Sequence, residues 1–252
     1  CNRASNINDD LKIANMNKIA LGDSISTYKS ANGALVYEKS TLIELIKHDN
    51  LMGSTFVITA IDSSYSRASK TCQEAITYGR QIEAKISSWD ENSQTSKINR
   101  YAGISPVKVD KYLFDLIARS KKISELTVGA FDISYASLDK VWDFSLDTIS
   151  FPEKSKIEAA VAKINYKNII LNSQDTTVYL NTPGMKIGFG GIGKGFLADE
   201  IKKFLISKGI ESGIVNAGGD LVTWGKPIND TAWDIGIAKP RVKKSILGQL
   251  KI

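Results

Sequence analysis

Five glycines and one lysine crowd into the eight residues Gly188-Phe189-Gly190-Gly191-Ile192-Gly193-Lys194-Gly195. The segment behind them reads as a helix, with Phe196, Ile201, Phe204 and Leu205 at helical spacing. Glycine lets a backbone approach a ligand closely and lets peptide N–H groups turn to one side. A helix N-terminus adds free donors and partial positive charge. Together these read as a site for a phosphorylated ligand; the competing reading is a tight packing corner. The spacing is not G-x-G-x-x-G followed by an acidic residue at the next strand end, so a dinucleotide site of the Rossmann type is poorly supported. It is not a P-loop either, because Gly195 stands where a hydroxyl residue would be needed. A second glycine segment, Asn216-Ala217-Gly218-Gly219-Asp220, has the chemistry of a reverse turn.

Composition narrows the class. A chain of 252 residues can bury a full core, and 42% hydrophobic with 24% charged residues is ordinary for a globular protein. No apolar run is long enough to span a bilayer. The net charge of +6 is scattered apart from Lys239, Arg241, Lys243 and Lys244, which read as a solvated face or edge strand. No module for nucleic acid accompanies them, so nucleic acid is not an expected partner. Two cysteines, Cys1 and Cys72, exclude a disulfide framework, and one histidine, His48, leaves no zinc cluster of the usual kind. Cys72 falls on the apolar face of a helix and reads as core. Cys1, followed by the polar Asn2-Arg3-Ala4-Ser5-Asn6, reads as a lipid-bearing cysteine with a tether, or as an arbitrary boundary.

Along the chain, residues 1–32 are polar and weakly patterned, a tether and loosely ordered lead-in to a domain over 33–252. Thr55 to Ile61 is a β-branched strand. Cys72, Ala75, Ile76, Gly79, Ile82 and Ile86 mark a long helix, followed by a loop over Glu91–Ser96. Further helices are expected over Tyr112–Leu126 and behind Phe151-Pro152-Glu153. A hairpin turns at Asn172-Ser173-Gln174-Asp175, Lys186 to Phe189 is a short strand, and Gly213–Asn216, Trp233–Ile237 and Ile246–Leu250 are further strands. The order mixes helices and strands without a βαβ repeat, which gives an α+β fold with a mainly antiparallel sheet.

Taken singly, the remaining motifs have plain readings. Trp89 is core, Gly129 to Asp132 is a helix stop, Met52-Gly53-Ser54 is a strand lead-in, and Lys194 is a surface lysine. Taken together they do not. Met52-Gly53-Ser54, Ser88-Trp89-Asp90 with Ser93 and Asn99, Thr127 to Asp132 with Trp142, Gly190 to Gly195, Asn216 to Asp220, and Trp233 to Pro240 stand in one order and spacing. In this the chain resembles the FAD:protein FMN transferase (ApbE) family, from about residue 50 onward.

The resemblance implies roles. Met52 lines the flavin pocket, and Trp89 lies beside the flavin nucleotide. Ala130, Phe131 and Asp132 bind FAD. Lys194 is a polar FAD contact on the glycine loop, and the Gly191 carbonyl is a metal ligand. The implied reaction is Mg²⁺-dependent transfer of FMN from FAD to a threonine or serine hydroxyl of an acceptor flavoprotein, with release of AMP. The acceptors would be subunits of membrane redox complexes. Lipid on Cys1 would hold the enzyme at the cell envelope, on the periplasmic or extracytoplasmic face. FAD pyrophosphatase activity and non-catalytic FAD binding remain as alternatives.

Two departures stand out. Family members commonly carry aspartate where this chain has Gly188, at a position that touches FAD. They also continue beyond Ile252 into a His-x-Ile-Asp-Pro-x-Thr-Gly motif with the aspartate and threonine that ligate Mg²⁺. The expectation is a piece of a longer enzyme, or else a fragment without catalysis.

Overall fold

The computed structural model describes residues 17–21, 25–29, 35–39, 42–138, 152–229, 231–240 and 245–252. Cys1, Trp142, Phe151, Arg241, Lys243 and Lys244 lie outside the described residues. The fold is α+β, and its strands pair antiparallel throughout. By internal contacts it divides into two units, residues 1–80 with 197–252 and residues 81–196.

The first unit is built on a seven-stranded sheet. Its strands are β1 (Asn17–Leu21), β2 (Ile25–Lys29), β3 (Leu35–Lys39), β4 (Leu42–Leu51), β5 (Ser54–Asp62), β9 (Ser212–Ala217) and β10 (Asp220–Trp224), in that spatial order. The period of two in β4, β5 and β9 puts Ile43, Leu45, Phe56, Ile58, Ala60, Val215 and Ala217 into the core. Each such side chain, fully buried, is worth about 1.5–3 kcal/mol for the larger aliphatics. Helix α1 (Tyr65–Ile86) brings Ala68, Cys72, Ala75 and Ile76 to the core; α5 (Gly193–Ser207) adds Leu197, Ala198, Ile201 and Leu205. Gly79 of α1 has no side chain because a Cβ there would stand 3.2 Å from Leu51 and 3.3 Å from Ile201. Arg67 donates from Nε and Nη2 to the buried Asp62, both at 2.7 Å, and so ties the first turn of α1 to the end of β5. A two-stranded ribbon of β11 (Asp234–Ala238) and β12 (Ile246–Lys251) completes the unit, closed by reciprocal N–H···O bonds between Trp233 and Ile252.

The second unit carries a three-stranded sheet of β6 (Val107–Lys108), β8 (Thr177–Leu180) and β7 (Ile169–Asn172), in that order. Helices α2 (Gln94–Arg100), α3 (Lys111–Leu126) and α4 (Lys154–Val161) belong to it, with a 3₁₀ segment over Ile133–Leu138. Leu113, Leu116 and Ile117 form the buried stripe of α3. Two serines on the same face, Ser120 and Ser124, are buried and satisfied by donating to the carbonyls of Leu116 and Ser120, four residues back.

Long periodic segments and turn-bounded strands appear where the sequence places them. Four places differ. The lead-in contributes β1 and β2, and β3 and β4 follow without having been anticipated. The loop expected over 91–96 becomes helical from Gln94, because Ser93 accepts a hydrogen bond from the Ser96 N–H and caps α2. Asp220 is the start of β10, not only the end of a turn. The short strand expected over 186–189 does not form.

Candidate functional site

That missing strand shows how the glycine loop is held. Ile187 is paired by a side chain in place of a neighbouring strand. Asn99 of α2 accepts from the Ile187 N–H (2.8 Å) and donates to the Ile187 carbonyl (3.0 Å). Ser137 serves Lys186 in the same way, accepting from its N–H (2.9 Å) and donating to its carbonyl (3.1 Å). Gly188 N–H then reaches the Ile133 carbonyl at 2.9 Å. Both backbone groups of Lys186 and Ile187 and the N–H of Gly188 are thus paired, as buried backbone requires.

Beyond that point the engagement stops. Gly190 and Gly191 are exposed, and their N–H groups meet no acceptor among the described residues. Ile192 and Gly193 N–H both turn back to the Phe189 carbonyl, at 3.0 and 2.6 Å, and α5 begins. None of the loop glycines has a positive φ. Their small size is what the structure uses. A Cβ on Gly188 would stand 3.1 Å from Ala136 Cβ and 3.3 Å from Ser88 Oγ. One on Gly190 would stand 2.6 Å from the Tyr135 hydroxyl, and one on Gly191 3.4 Å from Phe131 Cε2. A Cβ on Gly195 would meet nothing within 4 Å. The loop is therefore a packing corner, as one sequence reading had it, that leaves the Gly190 and Gly191 N–H groups without an acceptor among the described residues. Lys194 lies half-buried in the first turn of α5.

Phe131 and Tyr135 come from one segment whose shape is set by the end of α3. Gly129 N–H bonds the Ser124 carbonyl (2.8 Å) and Val128 N–H the Glu125 carbonyl (3.2 Å), the paired pattern of a Schellman stop. The left-handed position that glycine normally fills is held by Val128, at φ 53°, with its side chain in solvent. A β-branched residue in that region is an outlier. Thr127 Oγ1 accepts from the Phe131 N–H at 3.1 Å and fixes the turn through exposed Ala130. Asp132 accepts from Ser134 N–H (2.8 Å) and Oγ (2.6 Å) with one oxygen and from Tyr166 N–H (2.8 Å) with the other. Both its oxygens are thus engaged in holding the 3₁₀ segment.

Trp89 is not core. The residue is 91% exposed, on a loop whose backbone is nonetheless pinned. Ser87 Oγ accepts from the N–H groups of Trp89 and Asp90, both at 3.2 Å. An exposed indole on a fixed backbone suits stacking on a flat partner. Its neighbour Ser88 lies against the Gly188 position and Phe131 against the Gly191 position, so the loop that carries Trp89 and the segment that carries Phe131 both reach the glycine loop.

Met52 and Asp220 belong to the other unit. Met52 and Gly53, at φ 51° and 68°, form the two-residue turn joining β4 to β5. Gly218 and Gly219, at φ 66° and 110°, join β9 to β10. The two tips touch, since a Cβ on Gly218 would stand 3.2 Å from Ser54 Cβ. Type I′ turns favour asparagine and glycine at Met52's position, so a thioether there is a second non-glycine residue in left-handed backbone.

Sequence reasoning missed Tyr135 and Ser137, whose spacing carries no periodic signal; it noted Asn99 only as part of a motif. The buried Cys72 thiol is pushed up to about 12 by burial and is inert, as a core residue should be. For a metal the described residues offer little. No group of three or more His, Cys, Asp or Glu side chains comes together among them, and the Gly191 carbonyl is a single neutral oxygen. Mg²⁺ requires more hard oxygen ligands than that.

Known proteins match this arrangement along most of its length. The model of the ApbE family matches residues 52–252. An FAD:protein FMN transferase of Klebsiella pneumoniae is 30% identical over 203 residues, 80% of this chain and 61% of the relative. One from Treponema pallidum is 28% identical over 67% of this chain and 50% of its own length. The chain thus spans roughly half to three-fifths of these two relatives. The solved ApbE protein of Thermotoga maritima superposes with a TM-score of 0.72 at 29% identity, over 83% of this chain and 67% of that one. The flavin transferase ApbE of Vibrio cholerae, 21% identical, shares the fold with a TM-score of 0.71 over 78% of this chain and 64% of its own. With the family match running unbroken from the Met52 turn through the glycine loop to the last residue, this chain belongs to the ApbE family.

Proposed function

We propose that this chain carries the flavin-binding part of an FAD:protein FMN transferase. The observation that supports it best is the glycine loop: two exposed N–H groups with no acceptor among the described residues, at a helix N-terminus and backed by aromatic rings, in a chain of which 80% aligns with an enzyme of that name. The Gly190 and Gly191 N–H groups and the start of α5 suit the charged pyrophosphate of FAD. Trp89 and Phe131 suit its flat rings. In the proposed reaction a threonine or serine hydroxyl of an acceptor flavoprotein attacks the FMN-side phosphorus. The new O–P bond forms as the bond from that phosphorus to the bridging oxygen breaks. AMP departs with that oxygen, and the hydroxyl proton passes to solvent. Such a transfer asks little covalent work of the enzyme; positioning and fixed dipoles carry the rate.

Magnesium enters this proposal through the family resemblance. It would supply charge neutralisation at the phosphates, with Gly191 as one ligand and further oxygens required. The acceptor in a membrane redox complex, the lipid on Cys1 and the envelope location are proposed on the same footing.

Mass spectrometry of an acceptor domain incubated with the full protein, FAD and Mg²⁺ tests the reading. A gain of one FMN on the acceptor is expected. Free FMN and AMP without acceptor labelling would mean a pyrophosphatase, and stoichiometric uncleaved FAD would mean a binding protein.

A further inference from the structure

Gly190 and Gly191 are each faced by an aromatic ring from one short segment: Tyr135 lies on Gly190 and Phe131 on Gly191. The two rings are not equivalent. Phe131 offers only its face and edge. Tyr135 brings a hydroxyl to 2.6 Å from the point a Gly190 Cβ would occupy, against the loop just where its N–H groups are unengaged. That hydroxyl meets no hydrogen-bond partner among the described residues, and Tyr135 is 44% exposed. A phenol needs neither burial nor this position to be stable. Here its ring is held by the 3₁₀ segment, which Asp132 caps through Ser134. Its oxygen thus lies against the loop segment that carries the two peptide N–H groups without an acceptor among the described residues.

The position also bears on the missing carboxylate. Ala136, the next residue, occupies the space a side chain on Gly188 would take. One segment therefore closes the Gly188 position with Ala136 and offers a hydroxyl two residues along the loop with Tyr135. A neutral donor in place of a carboxylate favours an anion.

We propose that Tyr135 is a ligand-positioning residue of this chain, its hydroxyl donating to a phosphate oxygen of FAD at the Gly190–Gly191 peptides. The proposal rests on the flavin-transfer reading above and deepens it. Hydrogen bonds to charged groups are the stronger kind, so removing this one has a readable effect.

Flavin titration of the full chain, following FAD fluorescence, compares wild type with Tyr135→Phe. The substitution removes one oxygen and keeps the ring. The expected result is a dissociation constant for FAD raised about ten-fold, with the thermal midpoint of the ligand-free protein unchanged. A dissociation constant within about two-fold of wild type would overturn the assignment. So would a loss of affinity accompanied by a lowered midpoint, since that is a packing role. Absence of FAD binding by the wild type is a separate outcome that sinks the flavin reading itself and this inference with it.

Discussion

Two glycine-rich segments, Gly213–Gly219 and Gly188–Gly195, look alike in sequence and do different work. In the first, glycine is demanded by the fold. A Cβ on Gly213 would lie 2.3 Å from the Thr59 carbonyl and 2.7 Å from the Trp224 ring, and Gly218 and Gly219 both sit at positive φ. In the second no glycine has positive φ. Gly188, Gly190 and Gly191 are kept small by neighbouring side chains, and Gly195 by nothing among the described residues. A glycine that neither backbone conformation nor protein neighbours require leaves room for something outside the chain. The contrast extends to Met52 and Val128, where glycine would suit the backbone and is absent.

The sharpest break of this comparison is Gly213→Ala. Backbone and a buried indole both resist the added methyl, so a loss of about 3 kcal/mol is expected, measured by urea unfolding. A loss below about 1 kcal/mol would mean the sheet yields there and the first segment is no stricter than the second. Next comes Gly188→Asp, which introduces the carboxylate that the family resemblance leads one to expect there. Contact with Ala136 and Ser88 predicts a loss of about 1–3 kcal/mol. Adding Ala136→Gly should recover part of it, and a double-mutant cycle should show coupling of at least about 0.5 kcal/mol. Additive effects would show that Ala136 is not what closes the position.

Smaller gains should come from the opposite substitutions. Val128→Gly relieves left-handed backbone at the stop of α3 and should stabilise by about 1 kcal/mol in thermal unfolding. If stability falls instead, the Val128 side chain has a role the exposed position does not reveal. Gly195→Ala should stabilise by about 0.5 kcal/mol, since the methyl enters open space in a helical turn. The same variant should bind FAD more weakly if that space is for ligand. Unchanged FAD affinity would make Gly195 an ordinary helix residue.

Much of this was legible in the sequence. The apolar stripes of α1, α3 and α5 and the turn residues of the β7–β8 and β9–β10 hairpins specify themselves, because period and turn chemistry are local. The order of the motifs identified the family. The exposure of Trp89 was not legible, since an indole between polar neighbours reads equally as core. Nor was the route of residues 186–188: their β-like pattern is real, but their partners are Asn99 and Ser137, distant side chains whose approach no local rule encodes.

What the sequence determined alone is the class of fold, the helical and strand periods, and a glycine loop leading into a helix. Tertiary structure decided which glycines are structural and which are open, that Asp132 holds its own segment, and that Tyr135 stands over Gly190. Periodicity is written in neighbours three or four residues apart. The surroundings of a glycine are set by side chains that reach it from across the chain, and a residue with no side chain carries no mark of what packs against it.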